Sequence, residues 1–410
     1  MKKSIFLFLI FLLPAIAFSQ ETDKNKLAFS LKGFVKNDMF WDTRQTVSPR
    51  EGHFLLFPKP IKLDADGNDI NQGMNFNFLS LQSRISVNIE GTQALGADVS
   101  GKIEGDFFAQ KDDNINLFRL RHAYFKLNWT STELLLGQTW IPMFITDCFP
   151  GTISFNTGTP FQPFGRNPQI RLTHELGVAK FIAIASSQRD YASRGISGAS
   201  GEYLRNSAIP EISGQIHVSP IEPLLVGING SYKQIKPQLV TPQGYKTDEL
   251  VGGFNAMAFA KIETKAITLK LQGVYGQNMP DVLSIGGFAI SDTTDATKGF
   301  VKYVTLNTAS AWVDFQTNGD FSVGVFGGYS MNMGATKDII AGTTYGLGTN
   351  IESMYRISPR VSYKINSVKF ALEGEYTVAN YGSTFSNKGI PENLTEANNF
   401  RVLFATYYLF

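Results

Sequence analysis

The chain has 410 residues with 37 basic and 35 acidic side chains, so it lacks the cationic surplus that a nucleic-acid surface needs. A single cysteine, Cys148, excludes disulfides within the chain. Mean hydropathy is near zero at −0.07 although 43% of residues are hydrophobic, and no later segment is apolar for long enough to be a spanning helix.

Residues 1–19 carry a basic start at Lys2 and Lys3, an apolar stretch from Ile5 to Leu13, and the small-residue sequence Ala17-Phe18-Ser19. That is the pattern of an export signal cleaved before Gln20, and it leaves 20–410 as one domain. Without Lys2 and Lys3 the basic count falls from 37 to 35 and matches the 35 acids.

From Leu27 onward the apolarity is hidden in every second residue. In the first segment Leu27, Phe29, Leu31, Val35, Met39 and Trp41 share one face, against Lys32, Lys36, Asp38 and Asp42. Successive strand side chains point to opposite faces, so one face suits lipid and the other water. The second segment sets Leu79, Leu81, Ile85, Val87 and Ile89 against Gln82, Arg84 and Glu90. The third sets Val99, Ile103 and Phe107 against Asp98, Lys102, Glu104 and Asp106.

Further segments are expected at 117–129, 132–140, 168–174, 177–189, 208–218, 223–236, 249–264, 266–278, 301–316, 319–332, 350–364, 367–380 and 398–410. Arg119 and Arg121 share parity with Ala123, Phe125 and Leu127, which requires either a bulge or a rim position. In the last segment Phe400, Val402, Phe404, Tyr408 and Phe410 share a face.

The sixteen segments are joined by gaps that alternate between long and short. The expected long loops are 44–75, 141–167, 190–207, 237–248, 279–300, 333–349 and 381–397, with 111–116 as the short exception. This is the loop asymmetry of an all-β, transmembrane antiparallel β-barrel, with tight periplasmic turns and long extracellular loops. Such a barrel belongs in the outer membrane of a Gram-negative-type bacterium, in contact with its lipid.

Loop 3, residues 141–167, contains four prolines at 142, 150, 160 and 163 and five phenylalanines. Each proline fixes a backbone dihedral, so the loop is stiff and greasy rather than flexible. It is expected to fold into the lumen and to bring Asp147, Arg166 and Arg171 to a constriction. Lumen-facing parity also assigns Lys36, Asp38, Arg84, Lys102, Glu104, Arg356, Arg360 and Glu373 to the pore lining. Acids and bases are nearly balanced on that wall, so any selectivity must be set locally, where field lines are focused.

Leu134-Leu-Leu-Gly-Gln-Thr-Trp140, Phe144-Ile-Thr-Asp147, Pro150 and Arg166-Asn-Pro-Gln-Ile-Arg171 resemble the corresponding stretches of the DcaP-like porins. The motifs cover about forty residues of the chain. The resemblance implies a trimeric sixteen-stranded channel for dicarboxylates and related small anions, with Arg166 and Arg171 at the narrow part. The expectation is a diffusion porin for small hydrophilic solutes, carboxylates among them, assembled as a homotrimer without a cofactor. Outward Ala256, Ala258 and Ala260 would let neighbouring barrels approach closely.

Two other classes compete. One is a non-conducting barrel whose long loops serve surface binding or adhesion. The other is a barrel hydrolase, although none of the phosphate-loop, zinc-protease or serine-hydrolase signatures is present, so an enzyme is not expected. Asp64, Asp66 and Asn68 in loop 1 loosely resemble a calcium loop. Gly67 falls early and no Glu follows at the twelfth position, so no metal is expected there.

Overall fold

The alternation closes a cylinder. The computed structural model describes residues 26–109 and 112–410; the export signal expected over 1–19 lies outside the described residues. Sixteen antiparallel strands form the wall. They are β1 (Ala28–Asp42), β2 (Asn75–Leu79 continued by Arg84–Ala94), β3 (Ala97–Asp106), β4 (Arg119–Asn128), β5 (Thr132–Trp140), β6 (Arg166–Leu176), β7 (Ala179–Ser186) and β8 (Glu211–Ile221). The second half comprises β9 (Leu224–Ile235), β10 (Val251–Glu263), β11 (Ile267–Gln277), β12 (Phe300–Thr317), β13 (Phe321–Ala335), β14 (Ile351–Ile365), β15 (Val368–Phe385) and β16 (Pro391–Leu409). Each strand pairs with its chain neighbours, and β16 returns to β1 in register from Phe34↔Leu409 to Asp42↔Arg401. No sheet edge is left open, which hydrocarbon requires because it offers the backbone no hydrogen bonds.

The outside is apolar: Phe29, Leu31, Phe125, Leu172, Phe181, Ile228 and Phe254 are all exposed. Inward-facing partners on the same strands are buried, as the strict alternation along β8 and β10 shows. Turns on one end are tight. Leu95 and Gly96 join β2 to β3, both with positive φ (55° and 74°), the geometry that matches strand twist in a two-residue hairpin.

Two irregularities alter the parity read from the sequence. Along β2, Leu79 pairs with Asp38 while Arg84 pairs with Phe34. Five steps on β2 thus face four on β1. The extra residue reverses every side chain beyond it. Phe76 and Phe78 consequently face lipid, whereas Leu81 is buried and Leu79 packs against the interior clusters. Leu79 and Leu81 do not share the outward face of Ile85, as their spacing had suggested. The parity conflict in β4 is likewise a bulge. Glu104 pairs with His122 and Gly105 with Leu120, so Arg121 is the unpaired extra residue. Arg121 and His122 both end up buried inside.

The loop expected at 381–397 is only 386–390, because β15 and β16 stay paired up to Phe385↔Pro391. Their hairpin extends as paired backbone beyond the expected boundary. The 279–300 connection is also partly strand: Gly286–Asp295 pairs with the extended start of β12 and with Thr344–Leu347.

The seam between first and last strands is held by a buried forked ion pair. Arg401 donates from Nε and Nη2 to Asp42 at 2.9 and 2.6 Å, and Asn399 Nδ2 donates to the same carboxylate at 2.7 Å. Removing one partner of a buried pair leaves the other charge uncompensated, at about 3–5 kcal/mol. Arg401→Met is therefore expected to destabilise the barrel by roughly 3 kcal/mol, read as a lower urea midpoint in detergent and a lower temperature for the folded-to-unfolded gel shift.

Candidate functional site: a lumen filled by loops 1 and 3

Loop 3 (141–165) runs down inside the cylinder, as its stiffness and aromatic content suggested. Phe144, Phe155, Phe161 and Phe164 are buried, together with Ile141, Met143, Ile145 and Cys148. Burying each such side chain is worth roughly 1.5–3 kcal/mol. Glycines let loop and wall meet. A Cβ on Gly151 would lie 2.6 Å from Gln316 Oε1 and 2.7 Å from Arg360 Nη2. One on wall residue Gly328 would meet the Phe161 ring at 2.6 Å.

Loop 1 also enters. Phe54, Leu55, Leu56 and Phe57 are buried, and Phe54, Leu56 and Phe57 join Phe108, Phe155 and Phe164 in one cluster. His53 bonds Asp38 at 2.6 Å and lies among the rings of Phe40, Phe108 and Phe155. This second occupant was not anticipated. Its signal was available in the apolar run at 54–57 followed by Pro58, inside a loop that is otherwise mostly polar.

Of the expected lining residues, Lys36, Asp38, Arg356 and Glu373 grip these loops, and Arg84, Lys102, Glu104 and Arg360 pair with other wall side chains. Arg356 donates to Thr159 O at 2.8 Å and to Leu56 O at 2.8 Å. Glu373 accepts the backbone N–H groups of Ile153 and Ser154 at 2.7 and 3.0 Å. Lys36 donates to Ile153 O at 2.9 Å and pairs with Asp38 at 3.1 Å. Arg360 makes a forked pair with Asp314 at 2.8 and 2.9 Å. Glu104 collects Arg121 at 2.8 Å, Lys102 at 2.9 Å and Arg84 at 3.5 Å.

The three residues expected at a constriction separate. Arg166, only 1% exposed, sits at the start of β6, pairs with Asp190 at 2.7 Å and lies over the Trp140 ring at 4.1 Å. Asp147 is exposed at the lower end of loop 3 and shares a cavity of about 350 Å³ with Arg171, Lys126, Lys180 and His217. That cavity is floored by the β4–β5 turn, which places it on the tight-turn side. Arg171 bonds only Gln169 Oε1 at 3.0 Å and Trp140 O at 3.1 Å. Among the described residues no carboxylate pairs with it, whereas Lys126 and Lys180 are matched by Glu133 and Glu175 at 2.7 and 2.9 Å.

In loop 1, Asp64 Oδ1 accepts the N–H groups of Asp66 and Asn68 at 2.9 and 2.8 Å. These bonds hold its carboxyl below the usual range and close a small Leu63↔Asp69 hairpin. Among the described residues no cluster of His, Cys, Asp or Glu has metal-binding geometry.

A closed cylinder with an apolar girdle and a charged, loop-filled interior defines a transmembrane β-barrel of the outer-membrane type. The match to known proteins agrees: residues 59–205, which include loop 3, Arg166 and Arg171, match the family model described as DcaP outer membrane protein. The resemblance read in the sequence is thereby borne out.

The fold is similar to the outer membrane channel DcaP of Acinetobacter baumannii, with a TM-score of 0.69, 16% identity, and coverage of 96% of this chain and 100% of that one. It is also similar to an anion-selective porin from Comamonas acidovorans, with TM-score 0.56, 10% identity, and coverage of 94% and 100%. OmpT of Vibrio cholerae gives TM-score 0.56 and 11% identity, covering 95% and 99%. No curated protein matches the sequence.

Two outcomes follow from the packing. Cys148 Sγ donates to Ala260 O at 3.4 Å, and burial pushes the thiol up to about 11. It should resist maleimide at neutral pH in the folded barrel and react once unfolded, as mass spectrometry would show. Arg356→Ala strips donors from the buried carbonyls of Thr159 and Leu56, at about 1–3 kcal/mol each. Hydrogen exchange should then quicken at 54–57 and 159–161 while the strands stay protected.

Proposed function

We propose that this outer-membrane channel is a porin for passive diffusion of small hydrophilic solutes, that it favours small anions such as dicarboxylates, and that it works as a homotrimer. The observation that carries the anion preference is Arg171, whose guanidinium borders a water-accessible cavity with no acid paired to it. A planar fork of this kind suits the two oxygens of a carboxylate. Arg166 contributes differently, by fixing Asp190, at the start of loop 4 (190–207), to the wall. Exposed Ala256 and Ala258 support close approach of a neighbouring barrel.

A second reading draws on the packed lumen. Loops 1 and 3 fill its centre with buried aromatic side chains, which suits a barrel that presents its loops to a partner and does not conduct. Planar-bilayer recording under chloride and succinate gradients separates the two. The porin reading expects steady conductance and a reversal potential on the anion side. Arg171→Ala should move that potential toward cations and slow succinate entry several-fold, whereas Arg166→Ala should chiefly increase loop noise. Purified protein that inserts but passes no current would favour the binding barrel, and unchanged selectivity in Arg171→Ala would remove that residue from the filter.

A further inference from the structure

At the tight-turn side of the lumen, loop 3 borders several bays. Asp147 borders the bay containing Arg171, and Gly151 and Ile153 border another, of about 190 Å³, enclosed by β12, β13, β14 and β15. We propose that this second bay is a binding site for a small inorganic oxyanion of phosphate or sulfate size, held by Lys364 and Lys369. The proposal rests on the reading of a lumen open to water.

Lys364 and Lys369 are register partners at the base of the β14–β15 hairpin. Both line the bay, so two ammonium groups face one space across neighbouring strands. Like charges placed directly opposite destabilise a sheet. The wall relieves this elsewhere: Lys102, Lys126, Lys180 and Lys261 each have a carboxylate within 2.7–2.9 Å. Among the described residues, neither Lys364 nor Lys369 has one.

The surrounding charges point the same way. The first bay is lined by Lys126, Arg171 and Lys180 against Glu133, Asp147 and Glu175, an even balance. The second has Arg360, Lys364 and Lys369 against Asp320 alone. Arg360 is cancelled by Asp314, which lies just behind the lining, so one positive charge remains in surplus. The same guanidinium holds Gln316 Oε1 at 3.0 Å, which leaves the amide nitrogen of Gln316 available as a donor beside Ser362. Glu373, two same-face positions further along β15, is occupied by the amides of Ile153 and Ser154. The volume corresponds to several waters at about 30 Å³ each, room for a compact ion with its hydration but not for a nucleotide.

The test is isothermal calorimetry of inorganic phosphate into the full-length barrel in detergent, in chloride-free buffer. Saturable binding is expected, and the K364Q/K369Q double variant should weaken it at least about tenfold. Lys364→Arg with Lys369→Arg should retain it, and K62Q, an exposed lysine of the outer loop 44–75, should leave it unchanged. Absence of saturable binding, equal affinity in K364Q/K369Q, or an equal loss in K62Q would overturn the site. Should the double variant fail to show the folded gel shift, K364Q alone serves, with at least a threefold loss expected.

Calorimetry does not depend on conduction. A barrel that binds phosphate through the lysines yet carries no current overturns the porin reading and keeps this site; the converse result removes the site alone.

Discussion

Closing a sheet into a cylinder sends every second side chain into one shared interior, and the charges placed there must find partners in the space that remains. In this barrel many partners are opposite charges on the wall, as in Arg401–Asp42 and Arg360–Asp314, and several are main chain. Arg356, Glu373 and Lys36 bond backbone groups of loops 1 and 3, and Lys270 donates to Phe149 O at 3.0 Å. A buried charge that is hydrogen-bonded on several sides escapes most of the penalty of desolvation. The wall's polarity and the loops' inward course are therefore one feature: each supplies what the other lacks.

The same constraint explains how the lumen is laid out. Aromatic side chains of loops 1 and 3 fill the centre, where wall charges are engaged by backbone. Toward the tight turns the loops give out, and wall side chains pair with one another, as in Lys126–Glu133, Lys180–Glu175 and Lys261–Glu263. Water reaches the wall there, and the few cations without partners, such as Arg171, become conspicuous against a background of matched pairs. With the average charge close to zero, the local field there is set by single exceptions.

Most of the architecture was legible because a two-residue period survives over sixteen strands, and a period is a global signal. What the sequence hid was local. One extra residue in β2 turned Leu79 and Leu81 inward, and nothing in the side chains themselves marks that site. Arg121 signalled its bulge as a parity conflict, but a rim position would have looked the same. The long final hairpin was missed because above the membrane both faces meet water, so the alternation that marks a strand fades while its backbone pairing continues. Arg166 and Arg171 stand only five positions apart, yet one is sealed against Trp140 and the other borders water. That distinction depends on where loops 1, 3 and 4 come to rest, which no periodicity encodes.

The Arg401–Asp42 clasp joins the first strand of the cylinder to the last, and Arg401 also holds Gly52 O of loop 1 at 2.7 Å. The ring cannot shut until the C-terminal strand has been delivered. The side chain that closes the cylinder thus also grips part of what fills it, so the seam and the seating of loop 1 are stabilised by one residue and weakened together when it is lost.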